Sequence, residues 1–170
     1  EAHGRDIACV VTEGVMTNMG VIPPKEGYLQ FIQSICKAHG ALFYLDETVT
    51  GFRLGAGGCV ERYGLSPDIV TYGKALGQGF PIAAICGPDH IMEGLEWGKI
   101  LHYGSHNAPR LGLYATKTML EIMTADKAAG FKQLQACGTA MASALREVIG
   151  AQKRHRAIVQ NVGSVFQIYF

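Results

Sequence analysis

One lysine stands in a glycine-rich stretch between two apolar runs, in the segment DIVTYGKALGQGFPIAAIC at residues 68–86. Apart from Asp68 at its start, Lys74 is the only charged residue of this segment. Three roles compete for such an amine: phosphate binding, solvation at a turn, or covalent chemistry in a site that excludes water. A lysine reacts as a nucleophile only when it is deprotonated, and desolvation favours that form.

The glycines around this lysine do not form a phosphate-binding motif. A P-loop requires Gly six residues before the lysine of its GK pair and Ser or Thr after it, but Asp68 and Ala75 occupy those positions. The dinucleotide fingerprint G-x-G-x-x-G has two candidate stretches, GQGFPI and GAGGCV, in which Ile82 and Val60 replace the third glycine. The two remaining interpretations of Lys74 are a solvated turn, which is usual for lysine, and a covalent role.

Two adjacent acids end another apolar run, in YLDETVTGFR at residues 44–53. At the end of a buried parallel strand, Asp46 and Glu47 would lie on the edge of the sheet where ligands bind. The ordinary role of such an acid is a helix cap or a salt bridge with Arg53. The functional alternative is a carboxylate that keeps a heteroaromatic nitrogen protonated. An Asp on the pyridinium nitrogen and a Schiff-base lysine are the pair that pyridoxal-phosphate chemistry requires, so Asp46 and Lys74 together favour it.

Two histidines have the i, i+4 spacing of a metal site on a helix. His102 and His106 are separated by Gly104, which makes a helix unfavourable there, and no third ligand is evident. The sequence therefore predicts no metal site.

A sheet must position these residues, and the hydrophobic pattern predicts one. DIACVVTE and ALFYLDE are short apolar runs typical of buried strands, and the segment between them has the period of an amphipathic helix. We expect Pro24 to start this helix and Gly40 to end it. Strand, helix and strand in this order predict a βαβ unit with parallel strands.

The rest of the chain continues the α/β pattern. IVTYG and PIAAIC predict a third and a fourth strand, a short helix is expected near 59–63, and PDHIMEGLEW predicts another. Residues 110–149 predict one long helix, or two that are broken near Gly130. The basic run AQKRHRA predicts a linker to a last strand in VGSVFQIYF. The predicted fold class is α/β.

Composition excludes several function classes. The chain has 170 residues, 48% hydrophobic and 17% charged, with a formal net charge of +1, which does not indicate binding to nucleic acid or a membrane surface. No apolar run approaches the roughly 20 residues of a transmembrane helix. The five cysteines are an odd number without a Cys-x-x-Cys pair, which favours a reducing compartment, and we expect the cytoplasm.

Three separated motifs resemble one enzyme family. TEGVMTNMGVIPP, YLDETVTGFR and DIVTYGKALGQGFPIAAICG resemble the class III, fold-type I pyridoxal-phosphate aminotransferases, and most closely their glutamate-1-semialdehyde 2,1-aminomutase-like branch. The resemblance implies that Lys74 forms a Schiff base with pyridoxal 5'-phosphate and that Asp46 binds the pyridine nitrogen. It also implies that Thr48 and Val49 lie against the ring. The family usually has Val where this chain has Thr48.

The resemblance also implies residues for the substrate and for a partner subunit. Glu13 matches a family glutamate, although Gly14 replaces the usual proline after it, and Asn18 matches the aminomutase-like branch. A turn residue is an equal alternative for Asn18. HYGSHNAPRLG aligns with a segment in which a threonine of the neighbouring subunit binds the cofactor phosphate, and Ser105 takes its place with a hydroxyl that can still donate. A homodimer with shared active sites is therefore expected.

The function expected from this resemblance is amino-group transfer or migration on an amino acid or an amino-aldehyde or keto substrate, through Lys74. An ammonia- or phospho-lyase of the same family and a non-catalytic degenerate homologue are the alternatives. We expect residues 1–150 to be part of the large, mostly parallel α/β domain that binds the cofactor, ending in a long helix. Residues 151–170 are expected to begin the C-terminal small domain, so that the chain is an internal segment of a longer protein.

Overall fold

The computed structural model describes residues 3–96, 98–152 and 156–170, so residues 153–155 of the predicted basic linker lie outside the described residues. The strands found in these ranges are β1 (Cys9–Glu13), β2 (Leu42–Glu47), β3 (Ile69–Tyr72), β4 (Ala84–Cys86), β5 (Ile158–Val162) and β6 (Val165–Tyr169). The helices are α1 (Tyr28–His39), α2 (Gly58–Tyr63), α3 (Asp89–Glu96) and α4 (Arg110–Ala151). Two short 3₁₀ helices span Gly4–Asp6 and Lys74–Gly77.

The first four strands form one sheet in the order β1-β2-β3-β4. Strands β1, β2 and β3 are parallel, and α1 is the crossover between the first two, as the βαβ pattern predicts. Strand β4 runs antiparallel to β3, and only its first residue is half-buried while the other two are exposed, so the run PIAAIC is not a fully buried strand. The sheet is mixed and mostly parallel, and the predicted α/β class is confirmed.

The hydrophobic core covers one face of this sheet. Along β2 the side chains alternate between buried and half-buried, with Phe43 and Leu45 at 1% and 0% exposure. Leu29 and Cys36 of α1 pack into the same cluster. The opposite face of β2, which carries Tyr44 and Asp46, is half-buried.

Helix α1 begins later than the sequence predicts. Its first residue is Tyr28, four residues after Pro24, so the prediction that Pro24 starts the helix is wrong. The reason is Gly27, whose φ of 76° is left-handed and cannot belong to the first helical turn. The predicted end is confirmed, because Gly40 has a φ of 69° and donates its N–H to the carbonyl of Cys36.

Helix α4 is broken near its middle. Non-helical backbone angles occur at Ala125–Ala128, and Asp126, Lys127 and Ala128 have φ values of 50°, 57° and 62°. The break predicted near Gly130 is therefore real and lies a few residues earlier. No helix in the described ranges has both the length and the apolar character to cross a membrane.

The last two strands form a separate hairpin that packs on α4. Strand β6 confirms the predicted last strand, whereas its antiparallel partner β5 was not predicted. The turn between them uses Gly163, with a φ of 55°. Arg146 of α4 donates from Nη2 to the carbonyl of Val159 at 3.0 Å and so ties the hairpin to the helix.

Candidate functional site

Asp46 lies at the carboxyl edge of the sheet between two other polar residues. In the strand register it pairs with Glu13 of β1 on one side and with Thr71 of β3 on the other. Parallel strands end at the same edge, which is where α/β sheets bind ligands. The structure thus places Glu13 and Asp46 on neighbouring strands at the same level.

The carboxylate of Asp46 is held by two hydrogen bonds. Its Oδ1 accepts from the backbone N–H of Thr48 at 2.9 Å and from the hydroxyl of Thr71 at 3.1 Å. Partial burial raises the pKa of Asp46, but the hydrogen bonds from Thr48 and Thr71 and the charge of Lys74 outweigh it, and the pKa lies below its ordinary 3.8. Asp46 is therefore ionised at neutral pH, as the partner of a protonated ring nitrogen must be.

Lys74 follows β3 at the same edge, in an unusual backbone conformation. Its φ is 43°, and it opens the 3₁₀ helix whose next three residues are buried. Lys74 is exposed in this chain, which is the position that the solvated-turn interpretation predicts. The chain reverses sharply after β3, so that Lys74 projects outward while the residues that follow it fill the interior. Its charge nevertheless reaches Asp46, as the pKa of that carboxyl shows.

Thr48 lies between the acid and the lysine. Its backbone N–H and its side chain both favour the ionised form of Asp46. A Cβ at Gly73 would lie 3.2 Å from the Thr48 methyl carbon, so a glycine before Lys74 lets the two segments approach closely. Val49 is half-buried in the same loop.

Glu13 ends β1 and Asn18 lies in the turn that follows, and no hydrogen bond joins these two described residues. Glu13 Oε2 accepts hydrogen bonds from the backbone N–H of Thr17 at 3.1 Å and from its hydroxyl at 2.7 Å. Asn18 is exposed in the turn that follows. Packing explains the glycine at position 14, since a Cβ there would lie 2.5 Å from Cys59 Sγ. Proline does not fit against that packing.

Glu47 has the structural role that was the alternative for this acidic pair. It has 0% exposure, and its Oε2 accepts from the Thr50 hydroxyl at 2.8 Å and the Cys59 backbone N–H at 2.9 Å. Its Oε1 accepts from the Val60 backbone N–H at 3.1 Å. Both N–H groups belong to the first turn of α2, so Glu47 caps that helix. The bonds of its carboxylate come from these donors and not from Arg53.

Ser105 lies apart from the strand ends. It is exposed in the segment between α3 and α4, and within the described ranges no hydrogen bond joins it to Asp46 or Lys74. The two histidines of that segment are also exposed: His102 precedes, and His106 lies within, a turn in which Asn107 N–H donates to the Gly104 carbonyl. Among the described residues no group of three or more His, Cys, Asp or Glu is arranged to hold a metal.

A cavity of about 720 Å³ lies beside this edge, not on it. It is bounded by the loop residues Phe52 and Arg53, by Ala75 and Gln78 next to the lysine, and by apolar residues of α4. Neither Asp46 nor Lys74 lines it. We place the candidate site at the strand ends, because the charged and hydrogen-bonding groups converge there.

Sequence reasoning missed Thr71, Tyr44 and Thr17. Thr71 bonds Asp46, Tyr44 OH donates to Thr71 Oγ1 at 3.1 Å, and Thr17 holds Glu13. A signal for Thr71 exists in the sequence. Aligning the ends of YLDE and IVTY as parallel neighbours places Thr71 beside Asp46, which is the observed register.

Comparison with known proteins gives one consistent result. The family model described as aminotransferase class-III matches residues 1–169. Glutamate-1-semialdehyde 2,1-aminomutase of Anaeromyxobacter sp. (strain K) is 37% identical over 171 residues, which cover 100% of this chain and 39% of that protein. The enzyme of the same name from Methanococcus maripaludis is 42% identical, with 97% of this chain and 38% of that protein covered.

Solved structures agree with the sequence relatives. An omega-transaminase from Sphaerobacter thermophilus superposes with a TM-score of 0.88 at 26% identity, covering 99% of this chain and 38% of the other. A structure described as a transaminase with PLP bound also gives 0.88 at 26% identity, covering 98% and 39%. This chain spans about two-fifths of the length of the curated relatives it matches.

Proposed function

Because this chain belongs to the aminotransferase class III family, we propose that it carries part of the active site of a pyridoxal-phosphate enzyme that transfers or moves an amino group. The observation that carries this proposal is the ionised Asp46, held at the carboxyl edge of the sheet by Thr48 and Thr71 with Lys74 beside it. The cofactor prediction itself is confirmed at the level of the family.

The residues present fit this cofactor. Asp46 supplies the anion that a protonated pyridine nitrogen needs, and Lys74 supplies a primary amine at the same edge. Lys74 would hold the cofactor covalently through Nζ, Thr48 and Val49 would flank the ring, and Ser105 of a second copy would bind the phosphate. When bound, the cofactor supplies a ring that accepts the electrons released at the substrate Cα.

The proposed chemistry of this chain's own residues is to hold and to transfer protons. Asp46 keeps the ring nitrogen protonated because its carboxylate stays ionised at neutral pH. Once a substrate amine has displaced it from the cofactor, the Lys74 amine would take the proton from the substrate Cα and return it as a general acid. Glu13 at the end of β1 and Asn18 in the turn that follows are the proposed substrate contacts.

The substrate proposed is an amino acid or an amino-aldehyde or keto compound. The relatives named glutamate-1-semialdehyde 2,1-aminomutase support migration of the amino group within one molecule. The structural neighbours described as transaminases support transfer to a second molecule. Turnover that depends on an added keto acid would identify a transaminase, and turnover without an acceptor would identify a mutase or a lyase.

Lys74→Ala tests the assignment directly. We expect the full-length variant to lose both turnover and the visible absorbance of covalently bound cofactor, because no other amine is proposed to hold it. Lys74→Arg is the matched control that keeps the charge but not the reactive amine, and it should fail in the same way. A Lys74→Ala protein that kept both absorbance and turnover would show that the assignment is wrong.

We also propose a cytoplasmic homodimer. The exposed position of Ser105, away from Asp46, supports a role in a neighbouring subunit, and the five unbridged cysteines are compatible with a reducing compartment. Sedimentation of the full-length protein at the monomer mass would contradict the dimer, and recovery of the protein outside the cytoplasmic fraction would contradict the location.

A further inference from the structure

A row of hydroxyl groups leads across β2 and β3 to Asp46. Tyr44 OH donates to Thr71 Oγ1 at 3.1 Å, and Thr71 Oγ1 donates to Asp46 Oδ1 at 3.1 Å. An ionised carboxylate only accepts hydrogen bonds, so Thr71 must donate its single hydroxyl hydrogen to Asp46 and accept a hydrogen bond from Tyr44. The direction of the row is therefore fixed, and it ends on the acid.

The sheet register brings these three side chains together. Asp46 pairs with Thr71 across the parallel β2–β3 ladder, and Tyr44 precedes Asp46 by two residues, which puts it on the same face of β2. A slip of β3 by one residue would replace Thr71 with Val70 or Tyr72 beside the acid, and the row would be lost.

The row determines which part of the carboxylate is available. The hydrogen bonds of 2.9 Å from the Thr48 backbone and 3.1 Å from Thr71 both end on Oδ1, and the Thr48 side chain also favours the ionised carboxylate, so most of the remaining capacity for a partner lies on Oδ2. The terminal torsion of an Asp side chain has broad wells. Two donors on one oxygen restrict that torsion and keep the other oxygen in a constant direction.

We propose that Thr71, oriented by Tyr44, is a positioning residue that fixes the carboxylate of Asp46 and presents Oδ2 to the heteroaromatic nitrogen of the bound cofactor. This inference rests on the proposed function. Thr71 does not touch the cofactor in this scheme, and it acts only through Asp46. Its effect is therefore on how tightly and in which orientation the ring is held.

The experiment uses the full-length protein stripped of cofactor and titrated with pyridoxal 5'-phosphate. The readouts are the dissociation constant and the circular dichroism of the bound cofactor, which reports the orientation of its ring. Thr71→Val removes the hydroxyl at nearly constant shape, and we expect the dissociation constant to rise about tenfold with a weakened dichroism band. Thr71→Ser keeps the hydroxyl and should bind within about twofold of the wild type.

Two further variants separate positioning from general stability. Tyr44→Phe removes only the hydroxyl that donates to Thr71, and we expect the dissociation constant to rise about threefold. Thr12→Val is the matched control, because Thr12 is a half-buried strand threonine whose hydroxyl donates to the Glu13 carbonyl and not to Asp46. It should leave the dissociation constant and the dichroism unchanged.

The outcomes distinguish this inference from the proposed function. If the wild type binds the cofactor and Lys74→Ala abolishes the covalent absorbance, but Thr71→Val binds like the wild type, the positioning role is wrong and the function stands. Equal losses in Thr71→Ser and Thr71→Val would also overturn it. If Thr71→Val does not fold, a Tyr44→Phe variant with the dissociation constant of the wild type is enough by itself to overturn the positioning role. A wild type that binds no cofactor overturns both proposals.

Discussion

The two faces of β2 carry adjacent acids with opposite surroundings. Glu47 points into the core, has 0% exposure and gives both carboxylate oxygens to donors of its own chain. Asp46 lies on the half-buried face, and its hydrogen bonds from the Thr48 backbone and the Thr71 hydroxyl both end on one oxygen. An acid whose oxygens are all satisfied stabilises the fold, whereas one that keeps an oxygen available on an open edge can serve a ligand.

The contrast follows from strand geometry. Successive side chains of a strand point to opposite faces, so neighbours in the sequence enter different environments. The buried face of β2 meets α1 and α2, and the other face carries the row from Tyr44 through Thr71. The pair Asp46–Glu47 therefore divides into one residue of the candidate site and one residue of the scaffold.

Glu47→Gln should produce the largest change in stability. An amide nitrogen would face at least one of the donors at Thr50, Cys59 and Val60, and a buried donor without its acceptor is costly. We expect the free energy of unfolding of the full-length protein to fall by about 3 kcal/mol, measured by urea denaturation. An unchanged midpoint would contradict the capping role of Glu47.

Asp46→Asn should change stability little and activity strongly, in contrast to Glu47→Gln. Asn keeps an oxygen that can accept from Thr48 and Thr71 at a half-buried position, so we expect a loss of less than about 1 kcal/mol in the same urea experiment. Some cofactor should be retained and most of the rate lost, because a neutral amide does not keep a ring nitrogen protonated. Near-normal kinetics, or a stability loss equal to that of Glu47→Gln, would break the contrast between the faces.

Cys59 gives an effect that is absent at neutral pH and confined to alkaline pH. Burial, followed by the nearby negative charge of Glu47, raises the pKa of this thiol from 9.0 to about 12. The folded state therefore keeps the proton that the unfolded state loses, so stability is complete below pH 9 and falls as pH rises towards 12.

Replacing this thiol tests that dependence. Cys59→Ala should reduce the slope of the urea midpoint against pH between 9 and 12, whatever its effect at neutral pH. Cys86→Ala is the control, because Cys86 is exposed at the end of β4. Equal slopes in the wild type and in Cys59→Ala would refute the buried-thiol interpretation.

Much of the fold could be predicted because its signals are local. The apolar runs of β1, β2 and β3, the helical period of α1 and the glycine stop at Gly40 all depend on residues close in sequence. Strand β5 was missed because its sequence IVQNV gains its partner only through the hairpin with β6. The start of α1 was misplaced because Gly27 adopts a left-handed conformation that composition does not reveal.

The candidate site was predicted in part. Asp46 and Lys74 were proposed from residue type and position at strand ends, and they lie at one edge. The sequence left open whether Lys74 is solvated or enclosed, because its left-handed φ of 43° and its exposure depend on how the chain turns after β3. The domain boundary at 150/151 stays a prediction, and so do the roles proposed for all the site residues: Asp46, Lys74, Glu13, Asn18, Ser105, Thr48 and Val49.

The sequence by itself determined the α/β class, the βαβ unit and the pairing of an acid with a lysine at strand ends. Period and residue type carry that information along the chain. Only the tertiary structure decided that Asp46 and Glu47 have different partners, since Thr71 reaches Asp46 from 25 residues away and the first turn of α2 reaches Glu47 from 12 and 13 residues away. The physical reason is that hydrogen bonds act over about 3 Å in space, and the register of β2 with β3 and the packing of α2 set those distances.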